Sequence, residues 1–171
     1  MKFPLQLLIL IVMATCQSKK NSHNDTIEVF ERFDELQSII DSDKNKLWVI
    51  NFWATSCGPC IKEMPHFNEL EKAYRENDLK IVLVSLDPIK YLETRVYSFV
   101  KKYQIIPEVV LLEDQDYSTW TEKIDSTWFG ALPATLIIKG EQRKFRFGAY
   151  PSYEELLDDV KEMEESGPND V

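Results

Sequence analysis

The strongest constraint on this chain is the stretch Trp48–Pro65, where two cysteines stand at the change from one hydrophobic pattern to another. Trp48-Val49-Ile50-Asn51-Phe52-Trp53 is an almost unbroken run of bulky residues, the pattern of a strand buried on both faces of a parallel sheet. Ile61, Met64, Phe67, Leu70 and Tyr74 then recur at helical spacing. Between the two lies Cys57-Gly58-Pro59-Cys60, so both thiols sit where a strand turns into a helix. The first amides of a helix have no internal partners, and the helix dipole places partial positive charge there. A thiolate at that end is stabilised, its pKa falls, and it becomes a nucleophile near neutral pH. Pro59 lacks an N–H and suits a first turn. Gly58 leaves the turn without a Cβ, so a second sulfur has room to approach. The arrangement predicts Cys57 as the attacking residue and Cys60, one turn further in, as the residue that resolves a mixed disulfide.

At these residues the sequence resembles the thioredoxin superfamily. Asn51-Phe52-Trp53-Ala54-Thr55 before the cysteines and Glu63-Met64-Pro65 after them resemble its extracytoplasmic, membrane-anchored TlpA/ResA-like branch. The resemblance implies an α/β thioredoxin fold, a central mixed β-sheet flanked by helices on both faces, with a TlpA-like insertion between its halves. It implies a protein thiol–disulfide oxidoreductase with no cofactor beyond the Cys57–Cys60 pair. A second signature is Leu132-Pro133-Ala134-Thr135, in which the resemblance implies a cis Leu132–Pro133 bond facing the cysteines. Trp53, Gly58, Pro59, Leu132 and Pro133 are the expected substrate-binding residues. Glu63, three residues after Cys60, matches a glutamate of ResA-like proteins and is the third expected catalytic residue, exchanging a proton with Cys60. Asn51 stands where thioredoxins carry a buried aspartate, and it cannot ionise. By the same resemblance the partners are thiols or disulfides of exported proteins, apocytochrome c among them, and a membrane thiol reductase of the DsbD/CcdA kind.

The rest of the chain supports an exported domain. Three cysteines are too few for a disulfide-stapled scaffold, so the fold is expected to hold by its core. Net charge is −9 and the basic residues are scattered, which argues against nucleic acid as a partner. Lys2 followed by an apolar run too short to span a bilayer reads as a signal peptide over residues 1–15. Met13-Ala14-Thr15-Cys16 resembles a bacterial lipoprotein cleavage box, making Cys16 the lipidation site; an ordinary secretory signal is the alternative. Residues 16–26 are then a polar tether, 27–167 the thioredoxin-like domain and 168–171 a tail, in a monomer anchored by lipid in the bacterial envelope and facing the periplasm. With Cys16 so used, Cys57–Cys60 is the only internal disulfide left.

Patterning predicts a short strand at Ile27–Phe30 and a helix capped by Asp34 with Gln37, turning Leu36, Ile39 and Ile40 inward. The helix after Cys60 is expected to reach Asn77, with a kink at Pro65. Strands follow at Leu79–Leu86 and Glu108–Leu112, with a helix between them carrying Leu92, Val96, Phe99, Val100 and Tyr103. A short helix spans Tyr117–Ile124; a hairpin turns at Lys139–Gln142; Ser152 and Glu155 open the last helix, which Gly167-Pro168 stops. Three other readings stay open: a zinc site recruiting His66 and His23, a copper-binding or copper-delivery module of the Sco-like kind, and a structural relic of the motif. No metal ligand is assigned, because a second C-x-x-C is missing and Sco-like proteins use C-x-x-x-C.

Overall fold

The computed structural model describes residues 26–74 and 79–166. Cys16, His23, the leader and nearly all of the tether lie outside them, as do Asn77 and Gly167-Pro168. Six strands form one mixed sheet in the order β1-β4-β3-β2-β5-β6. The strands are β1 (Glu28–Phe30), β2 (Leu47–Trp53), β3 (Leu79–Ser85), β4 (Glu108–Leu112), β5 (Ala134–Lys139) and β6 (Gln142–Phe147). β1 to β4 are mutually parallel; β5 runs antiparallel to β2, and β6, antiparallel to β5, returns in the direction of β1 to β4. The helices are α1 (Phe33–Asp41), α2 (Gly58–Ala73), α3 (Tyr97–Tyr103), α4 (Tyr117–Ile124) and α5 (Tyr153–Glu165).

Strand alternation sorts the core into two halves. Val49, Trp53, Ile81, Leu83 and Ile137 face α2, α3 and α5, where they meet Met64, Phe67, Phe99 and Leu156. Trp48, Ile50, Phe52, Val82 and Leu136 face α1 and α4, where they meet Leu36, Ile40, Trp120 and Trp128. A central strand covered on both faces must be apolar throughout, which is why β2 shows no polar alternation. The expected strand at Glu108–Leu112 is β4, and it lies between β1 and β3.

Several local expectations are corrected. α1 is capped at Arg32, whose side chain makes no cap bond; Phe33 N–H instead donates to Asp114 Oδ2 at 3.1 Å from across the fold. Asp34 sits inside the first turn and pairs with Lys123. Ile39 is 39% exposed, because the inward stripe of so short a helix is filled by Phe33, Leu36 and Ile40. α2 ends at Ala73, with Tyr74 N–H closing on Leu70 O. The segment before α3 is irregular: a 3-10 turn at Ile89–Tyr91 and a π turn at Leu92–Val96 precede it.

Candidate functional site

The register of β2 and its neighbours sets the site. Trp53 pairs with Ser85 of β3, and Asn51 with Thr135 of β5. Beyond Trp53 the chain turns through Ala54–Ser56 into α2. Asp87, only 3% exposed, clamps that turn: its carboxylate accepts from Thr55 N–H at 2.8 Å, Thr55 hydroxyl at 2.6 Å and Ser85 hydroxyl at 2.9 Å. Cys57 is therefore delivered from the carboxyl end of a central strand and held from the neighbouring one.

Cys57 is the N-cap of α2, and its sulfur accepts from Cys60 N–H at 3.2 Å. Cys57 and Cys60 form a disulfide with their Cα atoms 5.3 Å apart. The two sulfurs differ in access: Cys57 is half-buried between exposed Ser56 and Gly58, whereas Cys60 is fully buried in the core under α2. Pro59 occupies the first turn and is exposed.

One turn beyond Cys60, Glu63 points into the protein and is fully buried. Asn51, on the same face of β2 as Val49 and Trp53, donates from Nδ2 to Glu63 Oε1 at 2.9 Å and to Thr135 Oγ1 at 3.0 Å. Tyr150 N–H donates to Glu63 Oε2 at 2.9 Å. Burial pushes the Glu63 carboxyl up to about 7, against the opposing pull of these two donors and of the Arg146 charge. Asn51 Oδ1, buried beside this carboxyl, has no hydrogen-bond partner among the described residues.

The Leu132–Pro133 bond is cis. Pro133 lies one step past the last β2–β5 pair, Phe52 with Ala134, at the end of the sheet that carries Cys57. Its carbonyl is taken by Gly148 N–H at 3.0 Å. Leu132 gives neither its N–H nor its carbonyl to any partner among the described residues.

A family model for the AhpC/TSA family matches residues 29–143. The chain belongs to the AhpC/TSA family. Among curated members it is 32% identical over 117 residues to a thiol-disulfide oxidoreductase ResA from Bacillus cereus, covering 63% of this chain and 62% of that one. The match thus spans less than two thirds of that relative. Of solved structures, a thioredoxin-related protein from Neisseria meningitidis serogroup B superposes with a TM-score of 0.61 at 26% identity, covering 73% of this chain and 90% of the other. StoA from Bacillus subtilis does so with a TM-score of 0.53 at 22% identity, covering 68% and 83%. The fold is the thioredoxin fold, and the ResA-like resemblance of Asn51–Pro65 is met by relatives of that name.

Within this AhpC/TSA domain, two of the expected substrate-binding residues, Pro133 and Trp53, are buried. Trp53 has no exposed surface; it packs on Phe99 with ring centroids 4.7 Å apart, and its indole N–H has no partner among the described residues. It is core beneath the disulfide and presents nothing to a docked substrate, because position 53 shares the α2-facing side with Val49 and Asn51. His66 is half-buried on α2 and joins no group of three or more metal-ligating side chains among the described residues. The sequence reading missed the Asp87 clamp and the Asn51–Glu63–Thr135 link. The latter was latent in strand alternation, since residues 49, 51 and 53 must share a face, but the partner on β5 needs the register.

Proposed function

We propose that this chain is a protein thiol–disulfide oxidoreductase that works through Cys57 and Cys60. What carries the reading is the asymmetry of the pair: one sulfur at the mouth of a helix N-terminus, the other buried one turn in, both in one disulfide. In the reducing direction Cys57 of the dithiol form, as thiolate, attacks a substrate disulfide. A Cys57–substrate bond forms, the substrate S–S bond breaks, and the leaving sulfur takes up a proton. Cys60 then loses its proton and attacks Cys57, which restores the internal disulfide and frees the second substrate thiol. Two electrons pass from the protein dithiol to the substrate. The amides of the first turn and the dipole of α2 stabilise the thiolate at Cys57. Glu63, with a carboxyl tuned to about 7, is the group on α2 suited to take the Cys60 proton at neutral pH.

The leader-like residues 1–15 and the box ending in Cys16 support placement in a bacterial envelope, anchored by lipid and facing the periplasm. The substrates in this reading are exported proteins, with apocytochrome c thiols as one candidate, and a membrane dithiol donor of the DsbD/CcdA kind returns the electrons. Leu132, with its free backbone groups beside the cis proline, suits an extended substrate segment. Gly58 and Pro59 are exposed beside Cys57.

Reduction of insulin by dithiothreitol, with and without the protein, tests the reading. The wild type is expected to accelerate it and Cys57→Ser to abolish the acceleration. Cys60→Ser is expected to accumulate a mixed disulfide with substrate. No acceleration by the wild type, or full activity in Cys57→Ser, would overturn it. Stoichiometric copper uptake by a dithiol form without reductase activity would move the assignment to metal delivery.

A further inference from the structure

An open groove of about 430 Å³ runs beside the cysteine pair, between the active-site turn and the α3 region. Thr55 and Ile61 form one wall, two residues before Cys57 and one after Cys60; Arg95, Phe99, Lys102 and Tyr103 form the other. No Asp or Glu lines it. The segment from Pro88 to Pro107 carries Lys90, Arg95, Lys101 and Lys102 against Glu93 alone, in a chain of net charge −9. Arg95 and Lys102 are exposed, and neither has an ion-pair partner among the described residues. Each cation lies over an aromatic face instead: the Arg95 guanidinium 3.8 Å from the Tyr91 ring centroid, Lys102 Nζ 4.9 Å from that of Tyr103. Phe99 packs on Tyr103 in a tilted contact with centroids 4.3 Å apart, which ties this wall through Trp53 to the core beneath the disulfide. Asp87 sits behind Thr55 with its oxygens engaged by three donors.

We propose that this groove is a specificity subsite that seats an acidic stretch of the substrate polypeptide next to its reacting cysteine. The proposal rests on the thiol–disulfide reading above. Two cations without ion-pair partners among the described residues, on an otherwise acidic molecule, give charge complementarity to the carboxylates of an acidic polypeptide, and the rings of Phe99 and Tyr103 give apolar surface for the intervening side chains. A basic segment is repelled at this wall. Because the walls begin within two residues of the C-x-x-C, an occupant continues directly into a disulfide under attack by Cys57.

The test uses the full chain in its dithiol form. The probes are three peptides of identical length, each with one cysteine in a mixed disulfide with mercaptoethanol, flanked by Asp/Glu, by Asn/Gln or by Lys. Each rate is divided by that of the same peptide with dithiothreitol, and hydroxyethyl disulfide serves as the uncharged reference. The acidic peptide is expected to react about three- to tenfold faster than the neutral one at low salt, and the basic one more slowly. That ratio is expected to fall toward one at high salt and in the Arg95→Gln/Lys102→Gln double variant. A wild type that reacts with all the probes but ignores their charge would overturn the subsite alone. So would a preference that survives in the double variant. A dithiol form that reacts with none of the probes, hydroxyethyl disulfide included, would overturn the redox reading and the subsite with it.

Discussion

Glu63 is the residue on which pH acts. With two donors on its oxygens a carboxyl ordinarily ionises easily, yet full burial wins and holds it near 7, above its ordinary 4.5. A carboxyl with a raised folded pKa favours folding when protonated, so its ionisation destabilises the protein as pH rises from about 4.5, and the loss is complete above about 7. Unfolding by urea is therefore expected to show roughly 2–3 kcal/mol less stability at pH 8 than at pH 5 from this one group. Glu63→Gln should flatten that slope and shift the pH profile of thiol exchange; a variant with the wild-type slope would show that Glu63 stays ionised throughout. Asp87 has a different part, positioning rather than chemistry. Asp87→Ala strands two donors of Thr55 and one of Ser85, so it is expected to cost about 2–3 kcal/mol and to slow reaction at Cys57. Asp87→Asn, which keeps one acceptor, should lose less of both. An Asp87→Ala variant as stable and as fast as the wild type would show that the turn holds without it.

Elements declare themselves in sequence when their signal is local. β2 and β3 could be read from unbroken apolar runs, and the hairpin from Gly140, whose φ of +62° a side chain resists. The Ser152 cap was also legible: its Oγ accepts from Glu155 N–H, although the Glu155 side chain goes to Arg146 and leaves the capping box half-made. α1 shows the opposite. Its sequence offers Asp34 as a cap, but its start is fixed by Asp114, 81 residues away, which only the sheet order brings near. The candidate site divides the same way. The cysteine pair was legible from its spacing and its place between strand and helix, and the cis proline through the resemblance of Leu132-Pro133-Ala134-Thr135 to the thioredoxin superfamily, whereas Asp87 and the Asn51–Thr135 contact depend on register. A direct comparison follows at this scale: Asp114→Ala is expected to cost about 1 kcal/mol in thermal or urea unfolding, as loss of a cap does. Asp34→Ala, which removes only exposed pairs with Lys123 and Arg32, should cost less. The reverse order would restore Asp34 as the cap.

Across the molecule, the cysteines sit on the strand with the most support. β2 is paired along its length with β3 on one side and with β5 over five positions on the other, and it is buried on both faces. β1 has only three residues and one neighbour, and it is tied at its ends by Tyr97 Oη accepting from Ile27 N–H and Phe30 O accepting from Glu113 N–H. β6, at the other edge, carries Lys144 and Arg146 in ion pairs with Glu155, Asp159 and Glu162 of α5, which keep charge on an edge open to further pairing. Stability is thus expected to grade from the edges inward, and native-state hydrogen exchange reads it residue by residue. Amides of β2 and β3 should exchange only by global unfolding, whereas those of Glu28–Phe30 should exchange at least about tenfold faster, through an opening roughly 1.4 kcal/mol cheaper. The platform beneath Cys57 would then stay folded while the β1 edge frays. Equal protection in β1 and β2 would mean that the sheet opens as one unit and that Cys57 has no firmer base than the edge.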